Sequence, residues 1–194
     1  MPEIDGGIDG GSQSSSSMSV QWKANPELPG KVSDKLIVSA ATFQVNHFQI
    51  VADSGSVMHS RYLLAWDSSG GPAKEEFDDA PAGVYSKATL DLGGSLVAYA
   101  YQISGTWTED GKEPKPFVIE DADSLSLSVD CNTTLSAPGS GEIEIKVDLS
   151  DPLGMISFKD IDDEDGPIMV TAQMNMPSLL LFRTRLPHAF HSDN

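Results

Sequence analysis

The chain has 194 residues, enough for one domain with a sizeable core, and its 12 Lys and Arg against 29 Asp and Glu leave a formal charge of −17. Such a surface repels nucleic-acid phosphates and anionic lipid headgroups, which excludes a basic nucleic-acid groove. Hydrophobic residues make up 39%, but they fall in ordered alternating runs, the mark of a folded chain.

Residues 1–19 read as a flexible Gly/Ser-rich arm. Ile4-Asp5-Gly6-Gly7 is echoed by Ile8-Asp9-Gly10-Gly11, and a serine run spans Ser14 to Ser17. That composition buries too little surface to offset its ordering entropy. The segment has no basic or apolar export signal, and no run approaches the length of a membrane span. The expectation is synthesis in a host cytoplasm without a signal peptide.

From residue 20 to 187 the dominant period is two, the signature of half-buried strands. Strands are expected at 36–39 and 42–51, with a bulge where the phase breaks between Val45 and Phe48. Further strands are expected at 57–67, 84–92 and 96–104, the last two joined as a hairpin at Gly93-Gly94. A short strand at 116–120 precedes the clearest two, 124–131 and 142–149. In these, Leu125, Leu127, Val129 and Cys131, then Ile143, Ile145, Val147 and Leu149, share one face. Residues 167–176 and 178–186, broken by Pro177, complete the set, and 188–194 read as a tail. No window shows a sustained 3.6 period with caps. The fold class expected is all-β, a single jelly-roll sandwich of about 8–10 antiparallel strands, with an immunoglobulin-like sandwich as second choice.

Few residues form a chemical motif. The acidic run Asp160, Asp162, Asp163, Glu164 and Asp165 offers carboxylates for a Ca²⁺ loop, but Gly166 falls at the seventh position and Thr171 at the twelfth. The EF-hand pattern fails, and a solvated acidic turn is the reading adopted. His188 and His191 are three apart, a metal-ligand spacing only if helical. Cys131, the one cysteine, closes an alternating apolar run and reads as a buried thiol, with no disulfide possible. There is no Gly-x-Ser-x-Gly elbow and no phosphate-cradling loop, so neither an enzyme nor a cofactor is expected. Trp22, Trp66 and Trp107 could form a sugar-stacking platform, with Trp107 on an exposed turn; core packing is the alternative. The Asn132 sequon is expected to be unmodified. Arg183 and Arg185, alternating on one strand face, and Arg61 are the only arginines. They are candidates for pairing with acidic loops of neighbouring subunits, with intrachain pairing as the alternative.

Size, dispersed acid, strand density and a flexible terminus together give a profile. It resembles that of the small single jelly-roll major capsid proteins of haloarchaeal internal-membrane icosahedral viruses. The resemblance implies a structural virion protein, packed side by side as a homo-oligomer and with a second capsid protein, near an internal membrane, in high salt that screens its acid. The other readings are a carbohydrate-binding or adhesive module, a tail-tube or decoration protein of a tailed virus, and a small hydrolase.

Overall fold

The computed structural model describes residues 16–161 and 166–193. Its period-two segments become two facing sheets that close over an apolar core, an all-β sandwich. Strand β1 (Ser17–Asn25) starts inside the expected arm, because Met18, Val20 and Trp22 alternate inward and are buried. It leads through a tight turn to β2 (Gly30–Ser33) and then β3 (Leu36–Ala52), a 17-residue strand that serves as the spine of the larger sheet. The two strands expected at 36–39 and 42–51 are this one strand. Its bulge falls where the phase breaks: the register with the later strand at 83–92 slips between Val45 and His47.

After β3 the chain reverses into β4 (Gly55–Trp66), adds the short β5 (Glu75–Asp78), and returns along the other edge of β3 as β6 (Gly83–Leu92). Strand β7 (Tyr101–Trp107) then pairs with the first half of β3, where β6 paired with the second half. Thus β6 and β7 lie end to end along one edge of β3, and the hairpin expected at Gly93-Gly94 does not form. Those glycines, at φ 105° and 146°, instead let the 93–100 loop leave the edge opposite the bulge. Gly105 in β7 has no room for a side chain: a Cβ there would lie 1.9 Å from the Ile37 carbonyl oxygen.

Strands β8 (Lys115–Asp121), β9 (Leu125–Leu135) and β10 (Ser140–Asp148) follow. A one-turn helix α1 (Ser150–Gly154) precedes the short β11 (Ile168–Val170), helix α2 (Met176–Ala189) and β12 (Phe190–Ser192). The smaller sheet runs β12-β10-β1-β5. The larger runs β11-β8-β7-β3-β6-β9, with β2 and β4 also on β3. The pairs β1–β10 and β8–β11 are parallel. Sheets of four and eight strands with two parallel pairs form a sandwich whose strand order differs from two facing four-stranded antiparallel sheets.

The strand expected at 178–186 is helix α2. Leu179, Phe182, Leu186 and Ala189 are its buried residues, spaced three and four apart, so the pattern has a helical period. Pro177 does not break the element but starts it, at a position whose N–H has no intrahelical partner. The expected strand 167–176 shortens to β11, because Thr171 to Met174 form a turn closed by two backbone hydrogen bonds. The expected tail is not free either: Phe190 is buried, and β12 pairs with Ile145–Val147 of β10. Phe190 meets Phe43 edge-on, with centroids 5.3 Å apart, so the chain end ties into the centre of the core.

Candidate functional site

Helix α2 places Arg183 over the end of β8, where Asp121 is buried. Arg183 Nε donates to Asp121 Oδ2 and Nη2 to Asp121 Oδ1, both at 2.6 Å, a two-point fork. Nη2 also donates to Asp123 Oδ2 at 2.8 Å. Two further donors complete the Asp121 carboxylate: the Tyr101 hydroxyl at 2.9 Å and the Asp123 backbone N–H at 3.0 Å. Burial opposes the Arg183 charge, but hydrogen bonds to Asp121 and Asp123 outweigh it and hold the guanidinium above its ordinary range. Burial, reinforced by the adjacent Asp121 charge, pushes the Tyr101 hydroxyl well up. The constellation is saturated with internal hydrogen bonds and serves as a clamp of helix to sheet.

This corrects the reading of the two C-terminal arginines. They do not share a strand face. Two residues apart on a helix, they point about 200° apart around the axis. Arg183 turns inward to its intrachain carboxylates, while Arg185 is exposed on the outer face. Arg61 is exposed at φ 54°, opposite Asn46 in the β3–β4 register, between the pairs Val45–Tyr62 and His47–Ser60. Neither Arg185 nor Arg61 forms an ion pair with a described residue. Most lysines are committed within the chain: Lys23 and Lys146 to Glu144, Lys74 to Glu142, Lys35 to Asp110, and Lys112 and Lys159 to Glu109.

The outer face of α2 is the most unusual surface. Met176, Leu180 and Leu181 are about half exposed, at 51%, 45% and 48%, and Met174 just before the helix is 44% exposed. Met176 and Leu180, four apart, lie about 40° from each other around the axis, and Leu181 and Arg185 form a second such pair about 100° further on, so the four cover a broad exposed arc with Met176 and Arg185 at its opposite margins. An apolar patch edged by a single cation stands out on a chain of net charge −17.

A groove of about 440 Å³ lies beside the second half of β1, walled by Trp22, Ala24, Glu27, Trp66, Gly71 and Pro72 among others. Gly71 lies against Trp66 so closely that a Cβ would stand 2.9 Å from the indole. Trp22 Nε1 is buried and has no hydrogen-bond partner among the described residues, and the same holds for the Tyr62 hydroxyl.

The remaining sequence candidates disperse. Of the acidic run, Asp162, Asp163, Glu164 and Asp165 lie outside the described residues. Asp160 is exposed and accepts a hydrogen bond from Ser157 Oγ at 2.6 Å. His188 ends α2 while His191 lies in β12, so the helical spacing that a shared metal needs does not arise. No cluster of three or more His, Cys, Asp or Glu able to hold a metal exists among the described residues. His47 is half-buried, and His59 Nδ1 lies 2.6 Å from Glu75 Oε2 at the surface. The tryptophan platform does not form: Trp22 and Trp66 are 4% exposed, Trp107 is 9% exposed and stacks on Phe158. Cys131 is buried as its alternation indicated, and burial, with the Asp130 charge, pushes its thiol up to about 11.

Sequence reasoning missed Gln44. Alternation puts it on the solvent face, yet it is 1% exposed. At the β3 bulge its Oε1 accepts from Val97 N–H at 2.8 Å and its Nε2 donates to the Tyr99 carbonyl at 3.4 Å. Its own backbone accepts from Gly93 N–H and donates to the Ala100 carbonyl. One glutamine thus anchors both ends of the 93–100 loop. The phase break was the only signal that could have pointed to it.

No protein-family model, no curated protein and no solved structure matches this chain.

Proposed function

We propose that this chain is a structural virion protein. It is a capsid subunit that assembles through side-by-side contacts of its β-sandwich with copies of itself and a second capsid protein, in a virus adapted to high salt. The observation that carries this reading is the outer face of α2: Met174, Met176, Leu180 and Leu181 stand exposed, and Arg185 lies one turn beyond Leu181 at the margin of that face. A surface of that kind on a strongly acidic chain favours contact with another protein over free solution. Arg185 supplies a cation for an acidic neighbour, and Arg61 a second one on the β3–β4 hairpin. Repulsion between subunits of charge −17 is screened at molar salt, where the Debye length is about 3 Å. The buried state of all three tryptophans removes the open aromatic face that a sugar-binding module would use.

The test is the size of the purified chain by sedimentation velocity in molar NaCl and in dilute buffer. Large assemblies in salt that fall apart on dilution are expected, and L180E/L181E should abolish them while the circular dichroism of the subunit stays unchanged. A monomer under both conditions, or assemblies indifferent to L180E/L181E, would overturn the reading.

A further inference from the structure

Strand β1 is paired on one side along its whole length, with β10 from Ser17 to Asn25. On its other side β5 covers only Ser17 to Val20. Ser17 N–H donates to the Gly139 carbonyl. In a parallel ladder this sets the alternation: odd residues of β1 turn their backbone groups to β10, and even residues turn theirs to the β5 side. Met18 and Val20 therefore meet β5. Trp22 and Ala24 turn their N–H and C=O groups past its end, and no described residue bonds them there. The groove walled by Trp66, Gly71 and Pro72 runs along that same stretch. An unpaired edge beside an open groove is the geometry that takes an added strand.

The sequence contains a segment whose pattern fits. In Ile4-Asp5-Gly6-Gly7-Ile8-Asp9-Gly10-Gly11, an extended conformation puts Ile4, Gly6, Ile8 and Gly10 on one face and Asp5, Gly7, Asp9 and Gly11 on the other. On β1 the even residues, Trp22 and Ala24, turn toward the core, and the odd residues, Gln21 and Lys23, turn outward. A strand added at this edge sets isoleucine beside Trp22 and aspartate beside Lys23, both favourable cross-strand pairs. Its glycines let the backbone pass the close wall at Trp66 and Gly71. Within one chain β5 stands in the way. It covers Ser17 to Val20, and Ala80 N–H just beyond it donates to the Ser16 carbonyl, so the chain enters β1 at the end of the edge away from the groove and behind β5. The arm of a second copy approaches the groove without crossing β5.

We infer that the free edge of β1 at Trp22–Ala24 is a strand-acceptor site for the Ile-Asp-Gly-Gly repeat, residues 4–11, of a second copy of this chain. The inference is independent of the virion reading, since it concerns another face and needs only two copies.

The test is disulfide trapping between full-length chains in a Cys131→Ser background. One chain carries Ala24→Cys, and the other carries Ile4→Cys or Ile8→Cys. The control partners carry Asp5→Cys or Asp9→Cys, which face the other way. The expected result is severalfold more covalent dimer with Ile4→Cys or Ile8→Cys than with the controls. Ala24→Pro, which removes the edge donor but is tolerated in an edge strand, should abolish the trapping selectivity of a neighbouring Lys23→Cys for Asp5→Cys and Asp9→Cys without lowering the melting temperature. Equal trapping by both sets, or an intrachain disulfide when Ile8→Cys and Ala24→Cys share one chain, overturns the inference. L180E/L181E should leave the trapping unchanged, so loss of salt-dependent assembly and loss of strand exchange are read separately.

Discussion

Replacing Arg183 by Met tests the clamp between α2 and β8. The Asp121 side chain is 1% exposed and that of Arg183 24%. The substitution removes two of the four hydrogen bonds to the carboxylate, leaving those from the Tyr101 hydroxyl and the Asp123 N–H. Stranding a buried carboxylate costs about 3–5 kcal/mol. The two remaining donors, and water entering where the guanidinium was partly exposed, reduce this to about 2–3 kcal/mol. For a domain of this size that is a fall in Tm of about 5–10 °C. Urea unfolding in molar salt is the assay, because a buried pair is screened far less than a surface one. The double variant R183M/D121N should recover part of the loss, since the neutral amide no longer leaves a charge buried. Lys35→Met, which breaks an exposed pair with Asp110, serves as the reference at a few tenths of a kcal/mol. If R183M costs no more than K35M, the clamp is not what holds α2 to the sheet. If it spares subunit stability but prevents assembly, Arg183 acts between subunits.

Gln44→Leu strands the Val97 N–H and frees the 93–100 loop from the β3 bulge. The expected cost is about 1–3 kcal/mol, and hydrogen exchange should accelerate at Val97 but not at Leu90 of β6; equal protection of Val97 in both chains refutes the anchoring role. Cys131, pushed up to about 11 by burial and Asp130, should have a thiolate fraction on the order of 10⁻³ at pH 8. Alkylation by iodoacetamide should therefore be at least ~10²-fold slower in the folded chain than in urea, and comparable rates would refute the burial. The folded thiol holds its proton where the unfolded one loses it. Its contribution to stability is thus complete below the unfolded pKa and disappears as pH rises through the folded value.

Alternation alone determined that this chain is a sandwich of strands. Leu125 to Cys131 and Ile143 to Leu149 bury the side that their period assigns, because a strand with one apolar face has only one way to hide it. The bulge near Val45 was legible for the same reason, as a break in phase. Local pattern failed where two periods fit one stretch. Leu179, Phe182 and Leu186 satisfy a helix, and a β reading survived only by taking Pro177 for a break rather than a start. It failed again where partners are remote in sequence. Asp121 is 62 residues from Arg183, and nothing local distinguishes that carboxylate from its acidic neighbours. The shortness of β5, which leaves Trp22 and Ala24 without a strand partner on that side among the described residues, is likewise a property of the sheet and not of β1. Pairing between distant strands and the docking of α2 are long-range events. Only the folded chain decides which polar groups are satisfied and which edge stays open.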